Sequence, residues 1–137
     1  MRKSRLGIAA VVALVIVVLA FAVYKFFIAT ADIRDAYMAR DAAGVERVTV
    51  FSPDDIFYCI VELENAPAWT KVKVAWYAVD AENVKPNTLI DEYEVTSADS
   101  TLPFNLVSNN GPWPKGAYRA RVYLNGWPVR TLNFEVQ

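Results

Sequence analysis

Residues 116–136 read GAYRARVYLNGWPVRTLNFEV, and this stretch decides the fold. Its first half alternates apolar and polar side chains from Tyr118 to Leu124, which is the period of a strand with one buried face. The dipeptide Asn125-Gly126 follows, and this pair is favoured in two-residue hairpin turns. Apolar residues then recur at every second position from Leu132 through Phe134 to Val136. The stretch therefore predicts a β-hairpin.

Four upstream segments show the same period and are separated by Gly, Pro, Asn and Asp residues. They are residues 57–64, 71–78, 89–95 and 102–107. Residues 32–44 fit either a helix, because of their alanines, or a first edge strand. Because no helical pattern separates the strands, the sequence predicts an all-β fold. We expect a two-sheet antiparallel sandwich of about seven strands.

The alternation also predicts which side chains fill the space between the two sheets. In residues 57–64 the glutamates mark the solvent face, so Cys59 points inward, and Trp76 does the same from the next strand. Large aromatic side chains supply most of the apolar area that a small domain without disulfides buries. The predicted structural core includes Phe57, Cys59, Trp76, Tyr118 and Phe134.

The N-terminal segment has the features of a membrane anchor. Residues 6–28 contain a single charged side chain, Lys25, and about twenty apolar residues are needed for a helix that crosses a bilayer. Arg2, Lys3 and Arg5 precede the run, and cytoplasmic flanks are enriched in such cations. We therefore expect a cytoplasmic basic tip at 1–5, a transmembrane signal-anchor helix at 6–28 and an extracytoplasmic β-sandwich domain at 29–137.

Two other interpretations of this segment remain open. A cleaved signal peptide has a similar basic start and apolar centre, and small-residue cleavage patterns occur at Ala20-Phe21-Ala22 and Ala29-Thr30-Ala31. The apolar run is longer than is usual for such a peptide, which favours the anchor. The third interpretation is a pilin-like helix that packs against copies of itself.

Composition excludes several kinds of chemistry. The chain has no histidine and one cysteine, Cys59, so an intramolecular disulfide and a thiolate metal cluster are impossible. A formal net charge of −1 argues against a general nucleic-acid-binding protein. The acidic pairs Asp54-Asp55 and Asp91-Glu92 are best explained as turn or solvated residues. We expect no catalytic residues, no metal site, no cofactor and no nucleic-acid partner.

Two sets of surface residues are candidates for contact with a partner. The first set lies on the outward face of the predicted strands 71–78 and 118–124, if these strands are neighbours. It comprises Lys71, Lys73, Tyr77, Arg119, Arg121 and Tyr123. The alternative set is Trp113 and Trp127, which flank the final hairpin and either cap the sandwich or contact a ligand.

Residues 51–56, 70–77, 116–126 and 134–136 together resemble the small immunoglobulin-like domains of membrane-anchored bacterial envelope proteins. The function of these domains is largely unassigned. The resemblance implies that residues 33–39 form the first strand and that Trp76 is the core tryptophan of the third. It places Cys59 where such domains carry the first bridge cysteine, although the partner cysteine is missing. It also implies that the Tyr118 hydroxyl bonds to the backbone.

Together these features predict a non-enzymatic, membrane-anchored interaction module. The protein would be a single-pass membrane protein with a cytoplasmic N-terminus and a periplasmic or extracellular domain. Its partners would be the membrane, through the N-terminal helix, and a protein or envelope polymer. The alternative is a structural subunit of a larger cell-envelope or pilus-like assembly.

Overall fold

The computed structural model describes residues 11–20 and 31–137. Residues 11–20 are helical, and their large aliphatic side chains are all between 51% and 64% exposed. Within these two described ranges, no helix is both long and apolar enough to span a bilayer. The rest of the predicted anchor, at 6–10 and 21–28, and the basic tip at 1–5 lie outside the described residues.

Eight strands form the body of the domain. Their spacing follows the alternating pattern of the sequence, because each strand has one face that must be buried. The strands are β1 (Asp32–Ala39), β2 (Val50–Phe51), β3 (Phe57–Glu64), β4 (Lys71–Ala81), β5 (Thr88–Thr96), β6 (Thr101–Leu106), β7 (Gly116–Leu124) and β8 (Trp127–Val136).

The strands are arranged in two sheets. One has three strands in the order β1-β3-β6, and the other has five in the order β2-β8-β7-β4-β5. The predicted all-β, two-sheet fold is therefore confirmed. Residues 32–39 form a strand and not a helix, because β1 pairs along β3 from Asp32 opposite Glu64 to Ala39 opposite Tyr58.

The predicted strand set needs one correction. The sheets are not wholly antiparallel, because β2 pairs in parallel with the end of β8. Strand β2 has only two residues, so it carries no alternating pattern that could reveal it in the sequence. Two backbone bonds flank this pairing, from Glu135 N to Thr49 O at 2.9 Å and from Gln137 N to Phe51 O at 3.0 Å.

The hairpin of β7 and β8 has the predicted two-residue turn. Leu124 lies opposite Trp127, and the turn residues Asn125 and Gly126 have φ angles of 50° and 86°. Positive φ at both positions is the requirement of a type I′ turn, and Asn-Gly meets it at little steric cost. The turn also fixes β4, since Asn125 N donates to Lys71 O at 2.8 Å and the Asn125 side chain accepts from Lys71 N at 2.9 Å.

Candidate contact face on the five-stranded sheet

The six residues of the first predicted contact set lie together on the outer face of the five-stranded sheet. Strands β4 and β7 are neighbours in this sheet, which meets the condition on which the prediction depended. Lys71 is exposed and the other five are half-buried, whereas alternate side chains such as Val74 and Val122 are fully buried on the other face. We call the surface formed by Lys71, Lys73, Tyr77, Arg119, Arg121 and Tyr123 the basic face.

The register of the two strands determines how these side chains meet. Lys73 lies directly opposite Tyr123, and Tyr77 lies opposite Arg119. Between these pairs Arg121 faces Ala75, which is only 1% exposed because larger neighbouring side chains cover its methyl group. Directly opposite residues in an antiparallel pair have Cβ atoms about 4.5–5.5 Å apart, so these side chains form one continuous surface.

One lysine of the basic face, Lys73, already has partners within the domain. The Lys73 Nζ atom lies 3.9 Å from a carboxylate oxygen of Glu92 and 4.4 Å from the centre of the Tyr123 ring. Glu92 and Glu94 come from β5, where they lie opposite Ala75 and Lys73. Alternation alone does not place these two carboxylates beside the basic face, because it does not reveal that β5 borders β4.

The other three cations of the basic face are not held in ion pairs. In the part of the chain that the structure describes, none of the ion pairs includes Lys71, Arg119 or Arg121. Arg119 is half-buried, and its Nε atom has no hydrogen-bond acceptor among the described residues. Positive charge on the face is therefore only partly compensated by the domain itself.

The two tyrosines and Arg121 interact at the centre of the basic face. Burial is the main cause that raises the pKa of the Tyr77 hydroxyl, and the neighbouring Tyr123 raises this pKa further. Arg121 acts in the opposite direction on the same hydroxyl. Because a tyrosine ordinarily titrates near pH 10 and the pKa of Tyr77 is raised, its hydroxyl stays neutral at physiological pH. The two tyrosine rings offer aromatic area and hydrogen bonds, while the cations provide the charge.

Trp113 and Trp127, the alternative contact residues, have different positions. Trp113 is only 9% exposed; its ring stacks on Phe57 at 4.7 Å, and its Nε1 atom donates to Asp55 O at 3.0 Å. Trp113 is thus a core residue, and its assignment to a contact surface is corrected. Trp127 is 69% exposed beside the hairpin turn. Trp69, which also flanks a turn, is exposed as well, at 58%.

The structure buries all five residues that were expected in the core, none of which is more than 3% exposed. Phe134 lies near the centre, 4.9 Å from Phe57, 5.5 Å from Tyr118 and 6.2 Å from Trp76 between ring centres. The Tyr118 hydroxyl donates to Pro114 O, four residues upstream. Burial raises the pKa of the Cys59 thiol to about 12, so the thiol is protonated and unreactive at neutral pH.

The acidic pairs lie in two different surroundings. Asp55 closes the turn before β3 by accepting from Ser52 N at 2.7 Å, and it pairs with Arg40 at 3.2 Å. Within residues 11–20 and 31–137, no three carboxylate or thiol groups come together as metal ligands would.

An open groove of about 440 Å³ lies between β5 and the loop after β6. Asp91 and Ser108 are among its lining residues.

The two-sheet arrangement has a counterpart among solved structures. An immunoglobulin-like protein from Pseudomonas aeruginosa superposes with a TM-score of 0.54 over 78% of this chain and 96% of its own length, at 14% sequence identity. The fold is immunoglobulin-like. At this identity the likeness concerns the fold alone. No protein-family model and no curated protein sequence matches the chain.

A second solved structure gives a weaker match. It is the alkylpurine DNA glycosylase AlkC of Pseudomonas fluorescens bound to DNA with an abasic-site analogue, and it gives a TM-score of 0.49 at 13% identity. The match covers 79% of this chain but only 30% of the glycosylase.

The immunoglobulin-like fold explains the positions of several core residues. Trp76 lies on β4, between β7 and β5 in the five-stranded sheet, and Tyr118 lies near the start of β7, with its hydroxyl bonded to the backbone as in a tyrosine corner. The inter-sheet disulfide of antibody domains is absent, because Cys59 on β3 is the only cysteine. Aromatic packing around Phe57 and Phe134 fills the space between the sheets instead.

Proposed function

We propose that the protein is a non-enzymatic, membrane-anchored interaction module whose basic face binds an acidic protein. The observation that carries this proposal is the grouping of Lys71, Arg119 and Arg121 with two tyrosines on one sheet surface. None of these three cations is in an ion pair with another described residue. A clustered positive potential attracts an acidic partner and accelerates its association.

The composition of the basic face favours a protein over a polymer. Tyrosine and arginine are enriched among the residues that carry most of the binding energy at protein interfaces. Tyr77 and Tyr123 are held by their neighbours on the sheet, so they lose little conformational freedom on binding. Carboxylates of the partner would pair with the arginines, which hold such groups through two parallel hydrogen bonds.

The proposed anchor is the apolar segment from Leu6 to Ile28. These 23 residues would reach about 35 Å as a helix, compared with a hydrocarbon thickness of about 30 Å. Residues 11–20 support this, since their helix is apolar on every side and a helix of that kind is stable only inside lipid or a protein core. The preceding Arg2, Lys3 and Arg5 favour a cytoplasmic N-terminus.

In this proposal the anchor and the sandwich act together by tethering. Confinement of the domain at the extracytoplasmic surface raises its effective concentration for a partner in the same membrane. A moderate affinity of the basic face is then sufficient for a stable contact.

The test compares two variants with equal changes of net charge. The first replaces three cations of the basic face: Lys71→Gln, Arg119→Gln and Arg121→Gln. The control replaces three exposed cations elsewhere: Arg34→Gln, Lys85→Gln and Lys115→Gln. Partner recovery after crosslinking in intact cells should fall about tenfold or more in the first variant only. High salt should reduce recovery for the wild-type protein.

Unchanged recovery for a basic-face variant that melts like the parent eliminates this surface as the binding site. Equal losses in the two variants would show that net charge matters and not the face. Crosslinks to an envelope polymer in place of protein contradict the proposed class of partner. Purification in mild detergent as a complex of fixed stoichiometry identifies the alternative, a structural subunit of a larger assembly.

A further inference from the structure

One end of the sandwich is formed by the start of β1 together with the loops 65–70 and 97–100 and the turn 125–126; we call it the proximal end. Backbone hydrogen bonds join these connections into one surface. Ser97 N donates to Thr70 O at 2.9 Å, and Asn125 N donates to Lys71 O at 2.8 Å. The chain enters the folded domain here, since Asp32 opens β1 opposite Glu64 at the end of β3.

The exposed tryptophans of the domain both belong to the proximal end. Trp69 lies in the loop 65–70, and Trp127 follows the turn 125–126; they are 58% and 69% exposed. The other two tryptophans, Trp76 and Trp113, are buried. Exposure of two large amphipathic rings on adjacent loops is costly in water, so this surface is suited to an environment that is partly apolar.

We propose that the proximal end rests on the bilayer, with Trp69 and Trp127 in the layer of lipid headgroups. This inference depends on the proposed membrane anchor. The apolar segment ends near Ile28, while Ala31 is already buried in the core at 6% exposure. Three residues extend at most about 11 Å, so the proximal end cannot move far from the membrane surface.

The chemistry of the proximal end matches a zwitterionic lipid surface. Tryptophan is enriched at the membrane interface, where its ring contacts the upper acyl chains and its N–H group remains in a polar layer. The charged residues at this end include Asp32, Glu64, Asp99 and Lys71, and Arg130 Nη2 donates to Ile33 O at 3.0 Å beside them. Because charges of both signs are present, anionic lipids are not strongly favoured, and the contact should depend little on salt.

Fluorescence quenching in reconstituted vesicles tests this contact. The full-length protein is placed in phosphatidylcholine vesicles with or without lipids brominated near the headgroup, and co-flotation establishes that it is in the membrane. Brominated lipid should quench a large part of the wild-type tryptophan emission. The double variant Trp69→Phe, Trp127→Phe should lose most of this quenching, because the remaining tryptophans are buried in the domain.

The matched control adds Val45→Trp to the double variant. Val45 is 83% exposed in the loop after β1, at the opposite end of the sandwich. The eight residues of β3 separate the two ends by about 26 Å, so a tryptophan there should not be quenched. Equal quenching of this control and the wild type would overturn the proposed orientation.

The outcomes separate this inference from the proposed function. A protein that floats with the vesicles but shows no quenching at Trp69 and Trp127 contradicts the lipid contact and leaves the anchor intact. A protein absent from the floating fraction overturns the anchor and the lipid contact together. If quenching is absent and the double variant also loses its crosslinked protein partner, the tryptophans bind protein instead of lipid.

Discussion

Trp76 is a large buried residue whose replacement should strongly lower the stability of the domain. It is 2% exposed, with its ring centre 6.5 Å from that of Phe57. We expect Trp76→Ala to lower the free energy of unfolding by about 3–5 kcal/mol, because it removes a ring from between the sheets and leaves a cavity. Chemical denaturation of the full-length protein in detergent measures this.

The matched control for Trp76→Ala is Trp127→Ala, since Trp127 is exposed. This change should alter the free energy of unfolding by no more than about 0.5 kcal/mol, as is usual for surface positions. Similar losses in the two variants would contradict the inward orientation of Trp76.

Cys59 should make the stability of the domain depend on pH. Burial raises the pKa of its thiol to about 12 from an ordinary value of 9.0. Between these values the folded state keeps a proton that the unfolded state has lost, so stability is complete below pH 9 and falls as the pH rises. The slope from this group is at most about 1.4 kcal/mol per pH unit.

The pH effect is measured by urea unfolding at pH 8, 9 and 10. Cys59→Ala should give a flatter decline than the wild type over this range. The interval stops at pH 10 because burial also raises the pKa of the Tyr118 hydroxyl to about 12 from its ordinary 10.0, which adds a decline of the same sign at higher pH. Identical slopes for the two proteins would indicate that the Cys59 thiol is not desolvated.

Individual core residues could be predicted where a strand has a regular period. The inward positions of Cys59 and Trp76 follow from alternation alone, because each has polar or charged neighbours in its strand. Trp113 could not be assigned in this way. It lies in a loop, and its burial depends on Phe57 and on Asp55 O, both more than fifty residues away in the chain.

At the level of secondary structure, two glycines should respond differently to the same change. Gly116 has a φ of 147°, and an added Cβ would clash with Asp80 O and lie 2.6 Å from Ala81 Cα, both backbone atoms of β4. Gly126 has a φ of 86° with no atom near an added Cβ. Gly126→Ala should cost about 1–2 kcal/mol for the left-handed conformation alone. Gly116→Ala should cost clearly more, because β4 and β7 must separate there.

Thermal melting of the two alanine variants checks this difference. The larger loss at Gly116 should appear together with disturbed pairing near the irregularity between Ala78 and Asp80. A greater loss at Gly126 than at Gly116 would contradict the close approach of the two strands.

The elements that the sequence predicted well are those in which local and tertiary preferences agree. The hairpin of β7 and β8 needs only its own alternation and Asn125-Gly126. Strand β2 exists only because β8 offers it backbone partners. The basic face could be predicted only in part. Its six residues follow from alternation, whereas the positions of Glu92 and Glu94 beside it depend on the pairing of β5 with β4.

At the scale of the whole molecule, the proposals require that the N-terminal segment remains attached to the domain. Residues 6–28 would hold the protein in the membrane, and the basic face would act only on the extracytoplasmic side. We expect the protein in the membrane fraction at its full-length mass. We also expect the domain to be digested by protease added outside intact spheroplasts and to be protected in inverted vesicles.

Mass spectrometry of the purified protein distinguishes a retained anchor from a cleaved signal peptide. Cleavage after Ala22 would give a mature chain that begins at Val23, and cleavage after Ala31 would give one that begins at Asp32. The second cut would also remove Ala31 from the core, where it is only 6% exposed, and leave β1 without the residue that precedes it. Either mature N-terminus contradicts the retained anchor. An intact chain with a domain that is digested only from the cytoplasmic side would instead reverse the proposed orientation, which Arg2, Lys3 and Arg5 favour.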